Sequence, residues 1–124
     1  MIFWSNGQDD SYPTSLPAYA RGENLSACKR AMEDITAFGQ SDSSNALKRA
    51  LANKADEIVL VTGKGLELEP ALAQQVSLIR KSNPAKIHTV AVGDATSPVL
   101  KEIATKSGGD YRTVSASLLR TYAE

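Results

Sequence analysis

Glu57-Ile58-Val59-Leu60-Val61-Thr62 and Ile87-His88-Thr89-Val90-Ala91-Val92 are the two stretches on which the fold turns. Each is short and dense in β-branched residues, and each is closed by turn formers, Gly63-Lys64-Gly65 after the first and Gly93-Asp94 after the second. The unbroken run Ile58-Val59-Leu60-Val61 is of the kind found in strands covered on both faces, as in parallel sheets, and Ile87 to Val92 reads as a second strand. Between them, Pro70 suits the first turn of a helix whose inner face is Leu72, Val76 and Ile79, and Asn83-Pro84 stops it. Ser97-Pro98 then opens a helix carrying Val99, Leu100, Ile103 and Ala104, which Gly108-Gly109 terminates. Tyr111 to Val114 reads as a last strand, and Ser115 as the cap of a final helix through Tyr122. Strand and helix alternate from Glu57 onward with connections short enough for right-handed crossovers. The expected fold is therefore α/β: a three-layer, Rossmann-like, doubly wound and mostly parallel sheet with helices on both faces.

Upstream, Ile2 to Trp4 is a brief apolar run ending at Ser5-Asn6-Gly7, a strand followed by a turn. Asp9 to Arg21, with two prolines, reads as a long loop with a short edge strand at Ser15 to Ala18. From Asn24 to Phe38, Leu25, Cys28, Met32, Ile35 and Phe38 recur every three or four positions and predict an amphipathic helix closed by Gly39. Ser41-Asp42-Ser43-Ser44 supplies capping oxygens for a shorter helix with Ala46, Leu47, Ala50 and Leu51 on its apolar side.

Composition narrows the function classes. The chain has 124 residues, 42% of them apolar, which matches one ordinary soluble domain, 1–124. Fourteen basic and fourteen acidic side chains cancel, so the electrostatic attraction behind most nucleic-acid and anionic-membrane binding is missing. A single cysteine, Cys28, excludes an internal disulfide framework and multi-cysteine zinc patterns. No apolar stretch approaches the roughly 20 residues that span a bilayer, and Met1 to Trp4 is too short for a signal-peptide core. The expectation is a soluble chain, cytoplasmic as given, with neither nucleic acid nor membrane as partner.

Four segments resemble the last two-thirds of a von Willebrand factor type A domain: Ile2-Phe3-Trp4-Ser5, Gly39-Gln40-Ser41-Asp42 before Ala46-Leu47, Glu57 to Thr62, and Ile87 to Gly93. Leu100 to Arg112, with Ser107-Gly108-Gly109 and Tyr111-Arg112, is similar to the family's closing pattern. The resemblance implies protein binding at the C-terminal edge of the sheet. In that family a divalent cation usually sits there, held by an Asp-x-Ser-x-Ser loop after the first strand, a Thr between two helices, and an Asp after the fourth strand. Such a hard cation wants oxygen ligands. Here the first strand and its loop are absent, Ser41 stands for the Thr, and Gly63 stands for the later Asp. The expectation is a degenerate metal-ion-dependent adhesion site, with no metal and no other cofactor.

The absent strand has a cost of its own. In the family it lies between the second and fourth, so its loss separates Ile2 to Trp4 from Ile58 to Val61 by two strand spacings, about 9–10 Å. The chain then pairs these strands directly, takes a strand from another chain or a second copy, or is part of something longer. Strand addition is an established mode of recognition, and it makes a homo-oligomer one expected outcome.

Other candidate sites have simpler readings. Gly63-Lys64-Gly65 offers amides and an ammonium group to a phosphate but lacks the spacing of either nucleotide fingerprint, so it reads first as a turn. His88, the only histidine, has no acid or nucleophile at a recognisable spacing and reads as a structural strand residue. Cys28 reads as a small hydrophobe, Asp9-Asp10 as solvated carboxylates and Asp94 as an Asx turn or helix cap. Trp4, Tyr12 and Tyr19 are contact anchors or cover for the sheet edge.

The function expected is thus a non-enzymatic protein-protein interaction module whose contact surface comprises Ser5, Asn6, Ser41, Asp42, Lys64 and Asp94, with a protein partner that the sequence does not name. One alternative is a metal-dependent adhesion domain completed by residues from another chain or from upstream sequence. The other is a phosphate- or nucleotide-handling enzyme built on Gly63-Lys64-Gly65.

Overall fold

The computed structural model of the chain describes residues 1–5, 8–14, 17–36, 43–93 and 96–123. Two units divide the chain, Met1–Ala46 and Leu47–Glu124.

In the first unit, β1 (Ile2–Ser5) pairs antiparallel with β2 (Gln8–Ser11), from Ile2 opposite Ser11 to Ser5 opposite Gln8. The register leaves two residues between the strands, the length at which hairpins are commonest. The open end is tied by Tyr12 N–H donating to Met1 O at 2.8 Å and by the Met1 ammonium donating to Tyr12 O at 2.7 Å. Position 8 to 11 is therefore strand where the sequence reads as loop. Of the expected edge strand at Ser15 to Ala18, Ser15 and Leu16 lie outside the described residues, and Pro17 and Ala18 are not strand.

The helix α1 (Gly22–Glu33) starts two residues earlier than its apolar spacing predicts and ends five earlier, where Asp34 and the β-branched pair Ile35-Thr36 follow. None of its residues is buried, and Leu25 and Met32 of the predicted inner face are 58% and 49% exposed. A next helix, α2 (Ser44–Ala52), spans the division and buries Ala46, Leu47 and Leu51 as the stripe predicts. Ser43, just before it, is 3% exposed, and its hydroxyl has no hydrogen-bond partner among the described residues.

The second unit holds the parallel sheet. Its strands are β3 (Glu57–Thr62), β4 (Lys86–Val92) and β5 (Tyr111–Val114), in the order β3-β4-β5. Glu57 lies opposite Lys86 and Thr62 opposite Ala91, while Thr89 lies opposite Tyr111 and Val92 opposite Val114. The intervening helices are α3 (Ala71–Arg80) and α4 (Pro98–Ser107), and α5 (Ala116–Ala123) closes the chain. Helix α4 lies against β4 and β5, and α3 packs on α4. The result is the expected fold class, a small Rossmann-like α/β arrangement with helices packed against a parallel sheet.

The packing follows from alternation. Ile87, Thr89 and Ala91 are buried along β4, as are Val99, Leu100, Ile103 and Ala104 along α4 and Leu72, Ala73 and Val76 along α3. Full burial of each large aliphatic side chain is worth about 1.5–3 kcal/mol. The polar groups in this layer are satisfied: Thr89 Oγ1 donates to Leu100 O at 2.9 Å, and Ser107 Oγ accepts from Ile87 N–H at 2.9 Å.

Helix ends behave as their residues predict. Ser97 is the N-cap of α4, accepting from Leu100 N–H, with Pro98 in the first turn. Gly108 ends α4 at φ 76°, a left-handed conformation that glycine adopts without a Cβ penalty, and Gly109 N–H donates to Ala104 O. Ser115 Oγ accepts from Leu118 N–H at the start of α5.

Arg80 makes a tie that spacing does not announce. Its guanidinium donates to Ala85 O at 2.7 Å, Lys106 O at 3.1 Å and Ser107 O at 3.2 Å, joining the end of α3 to the end of α4 and the start of β4. A cation at these carbonyls also opposes the negative end of the α4 dipole. Replacing it, Arg80→Ala, is expected to lower stability by about 2 kcal/mol, read as a lower denaturant midpoint with an unchanged slope. Lys in its place recovers only part of the loss, because an ammonium lacks the planar fork.

Candidate functional site

The loop after β3 sits at the C-terminal end of the sheet, where open α/β folds bind ligands. Several of its polar groups have partners within the loop or on α4. Lys64 N–H donates to Thr62 Oγ1 at 3.0 Å, and Lys64 Nζ pairs with Glu67 Oε1 at 2.9 Å across the single 3-10 turn Gly65–Glu67. Ser97 Oγ donates to Gly65 O at 2.6 Å. A Cβ on Gly65 would lie 2.8 Å from Ser97 Cβ and 3.2 Å from Leu100 Cδ1, so this glycine lets the loop approach the start of α4. A phosphate cradle instead needs amides and an ammonium directed outward. The Lys64 amide is engaged, and its ammonium pairs with Glu67 in a contact open to water.

Of the residues expected to form a contact rim, Lys64 belongs to this loop in the second unit, and Ser5 ends β1 in the first. Asn6, Ser41, Asp42 and Asp94 lie outside the described residues. The expectation that Ile2 to Trp4 lies in the same sheet as Glu57 to Thr62 and Ile87 to Val92 can be compared with the strand pairing. It is corrected here: β1 pairs in a two-stranded antiparallel sheet of its own, because β2 takes up a hydrogen-bonding edge of it, and the parallel sheet is β3-β4-β5.

His88 is held by its neighbours. Its Nδ1 accepts from Asp110 N–H at 3.1 Å and lies 3.6 Å from Asp110 Oδ2, while Nε2 lies 3.8 Å from Glu57 Oε2. The imidazole thus links β4 to the start of β3 and to the residue before β5. No three His, Cys, Asp or Glu side chains among the described residues gather closely enough to hold a metal ion. Cys28 is half-buried, with Sγ 4.0 Å from Met1 Sδ. Tyr19 is 80% exposed, with the Arg21 guanidinium 5.5 Å from its ring centre.

The feature that reading the sequence misses is the outer edge of β3. Leu60 and Thr62 are buried, but Val59 and Val61, on the opposite face, are 64% and 50% exposed. The apolar run is therefore buried on one face only at this strand, which is also an edge of the sheet. Lys86 N–H donates to Asp56 O, which fixes the direction of the backbone. By the alternation of a parallel ladder, Ile58, Leu60 and Thr62 direct their N–H and C=O groups toward β4. Glu57, Val59 and Val61 direct theirs to the other side, where no strand among the described residues pairs with them. The strand carries no proline or lysine of the kind that blunts an edge, only Glu57 at its start.

No protein-family model matches the chain, and no curated protein matches it significantly. Among the described residues no helix is long and apolar enough to cross a membrane.

Proposed function

We propose that the chain is a non-enzymatic protein-binding domain, a reduced relative of the von Willebrand A type, that receives an extended partner segment along β3. One observation supports this most directly. An edge strand presents backbone groups at Glu57, Val59 and Val61 that no strand among the described residues pairs with, together with two largely exposed valines, the combination that strand-adding recognition uses. The backbone supplies hydrogen bonds and the valines supply apolar contact.

The nucleotide alternative finds less support, since the Lys64 ammonium and amide both have partners within the loop. A titration of the isotopically labelled chain, followed residue by residue by NMR, separates the readings. A seven-residue peptide alternating valine with threonine is expected to shift the amide signals of Val59 and Val61 saturably. Magnesium, manganese and a panel of nucleotides are expected to leave Gly63 to Gly65 unmoved, with and without Lys64→Ala. A saturable response of that loop to an ion or nucleotide, or silence at β3 toward the peptide, overturns the proposal.

A further inference from the structure

We infer that His88 is a proton-operated latch at the start of β5: the neutral imidazole holds the amide of Asp110, and a proton on the ring exchanges that bond for pairs with the carboxylates of Asp110 and Glu57. The latch is independent of what β3 receives, and its failure would leave the strand-binding reading standing.

The neutral state is fixed by one bond. Asp110 N–H donates to His88 Nδ1 at 3.1 Å, so Nδ1 presents a lone pair and the proton of the neutral ring sits on Nε2. An imidazolium carries a hydrogen on both nitrogens and accepts at neither. Taking up a proton therefore ends the Asp110 amide bond. Histidine is also the side chain whose charge changes between about pH 5 and 8 without help from its surroundings.

The protonated state has its partners in place. Asp110 Oδ2 lies 3.6 Å from Nδ1, and Glu57 Oε2 lies 3.8 Å from Nε2. Both separations are longer than a hydrogen bond, and charge-assisted bonds would draw each carboxylate in to roughly 2.7–2.9 Å. The Asp110 and Glu57 side chains are 74% and 63% exposed and free to swing, whereas the imidazole is only 27% exposed.

Charges of both signs share the ring's face of the sheet. Val59 lies opposite His88 and Glu57 opposite Lys86, and Arg112 of β5 lies opposite Val90, two residues along β4 from the ring. Lys86 and Arg112 oppose an imidazolium. Glu57 and Asp110, one at each ring nitrogen, favour it. Helix α4 packs on the other face of β4, where Thr89 Oγ1 bonds Leu100 O.

What the exchange can move is bounded by the backbone on either side. Gly109 lies against the Ile87 carbonyl and His88 N, and Thr89 N–H donates to Asp110 O at 2.9 Å. These contacts keep β5 in register, so release is confined to the Asp110 amide and the turn that carries it.

His88 is the only histidine, so its ring signals identify themselves. Two-bond nitrogen–proton NMR spectra of the full chain, taken between about pH 8 and pH 5, are expected to show the neutral ring protonated at Nε2. The Asp110 amide signal is expected to move with the same midpoint as the ring. Below that midpoint the Asp110 amide is expected to exchange with solvent about fivefold faster or more, corrected for the intrinsic effect of pH, while Thr89 N–H keeps its protection. His88→Gln supplies a side-chain amide that does not titrate, and it is expected to abolish the Asp110 transition with an unchanged circular dichroism spectrum. The wild-type titration keeps the inference testable if that variant fails to fold. A neutral ring protonated at Nδ1, an Asp110 amide that does not follow the ring, or a transition that survives His88→Gln would each overturn it. Loss of protection at Thr89 together with Asp110 would do the same, because the sheet itself would then be opening.

Discussion

Gly109→Ala is expected to abolish stable folding of the second unit or to lower its stability by about 3 kcal/mol or more. A Cβ at this position would overlap Ile87 O, sit 2.6 Å from the Ile87 carbonyl carbon and 3.0 Å from His88 N. These are backbone atoms of the central strand, and Ile87 is fully buried, so no flexible side chain can give way. Either β4 bends or the start of β5 withdraws, and withdrawal breaks the bond from Thr89 N–H to Asp110 O at 2.9 Å. The neighbouring glycine supplies the control. A Cβ on Gly108 meets nothing within 4 Å, so Gly108→Ala carries only the strain of φ 76°, roughly 1 kcal/mol. Thermal unfolding followed by circular dichroism reads both. Equal losses at the two positions would show that close approach to β4 is not what position 109 requires.

Leu100→Ala is expected to cost about 3–4 kcal/mol, lowering the melting temperature by about 10 °C or more. Leu100 is fully buried, and its backbone is engaged at both ends: the N–H donates to Ser97 Oγ at 3.3 Å and the carbonyl accepts from Thr89 Oγ1 at 2.9 Å. Those bonds hold the first turn of α4 against β4, so the surrounding side chains have little freedom to close over a cavity. Leu100→Met, which conserves volume, is expected to lose less than about 1.5 kcal/mol. A Leu100→Ala variant as stable as the methionine one would mean that the layer between α4 and the sheet collapses freely.

The second unit was largely legible in its residues. Ile58 to Val61 and Ile87 to Val92 announce strands, Ser97-Pro98 and Gly108 announce the limits of α4, and the capping chemistry behind those signals is local enough to survive any tertiary context. The hairpin of the first unit was harder, although Asn6-Gly7 between Ser5 and Gln8 is the dipeptide that two-residue hairpins favour. Gln8-Asp9-Asp10-Ser11 has no apolar alternation, so its pairing depends on β1 rather than on its own pattern. The stripe Leu25, Cys28, Met32 was read correctly as helical but not its exposure, because periodicity reports which residues share a face and not what meets that face. For the same reason Val59 and Val61 looked buried: a run of β-branched residues reads alike in a central and an edge strand. In the loop after β3, the bonds of Lys64 to Thr62 and Glu67 depend on how the chain turns and left no trace in residue spacing.

The order β3-β4-β5 has a consequence for the moment of synthesis. The strand that pairs with β3 is made after it, and its first pairing residue, Lys86, lies beyond the whole of α3. A growing chain emerging from the ribosome therefore carries Ile58 to Val61 with both sides unpaired until residue 86 and its successors are free of the exit tunnel. During that interval the segment is open to capture by chaperones or by neighbouring nascent chains. Slowing elongation while Ile58 to Val61 are outside the tunnel and Lys86 to Val92 are still within it should lengthen this vulnerable period.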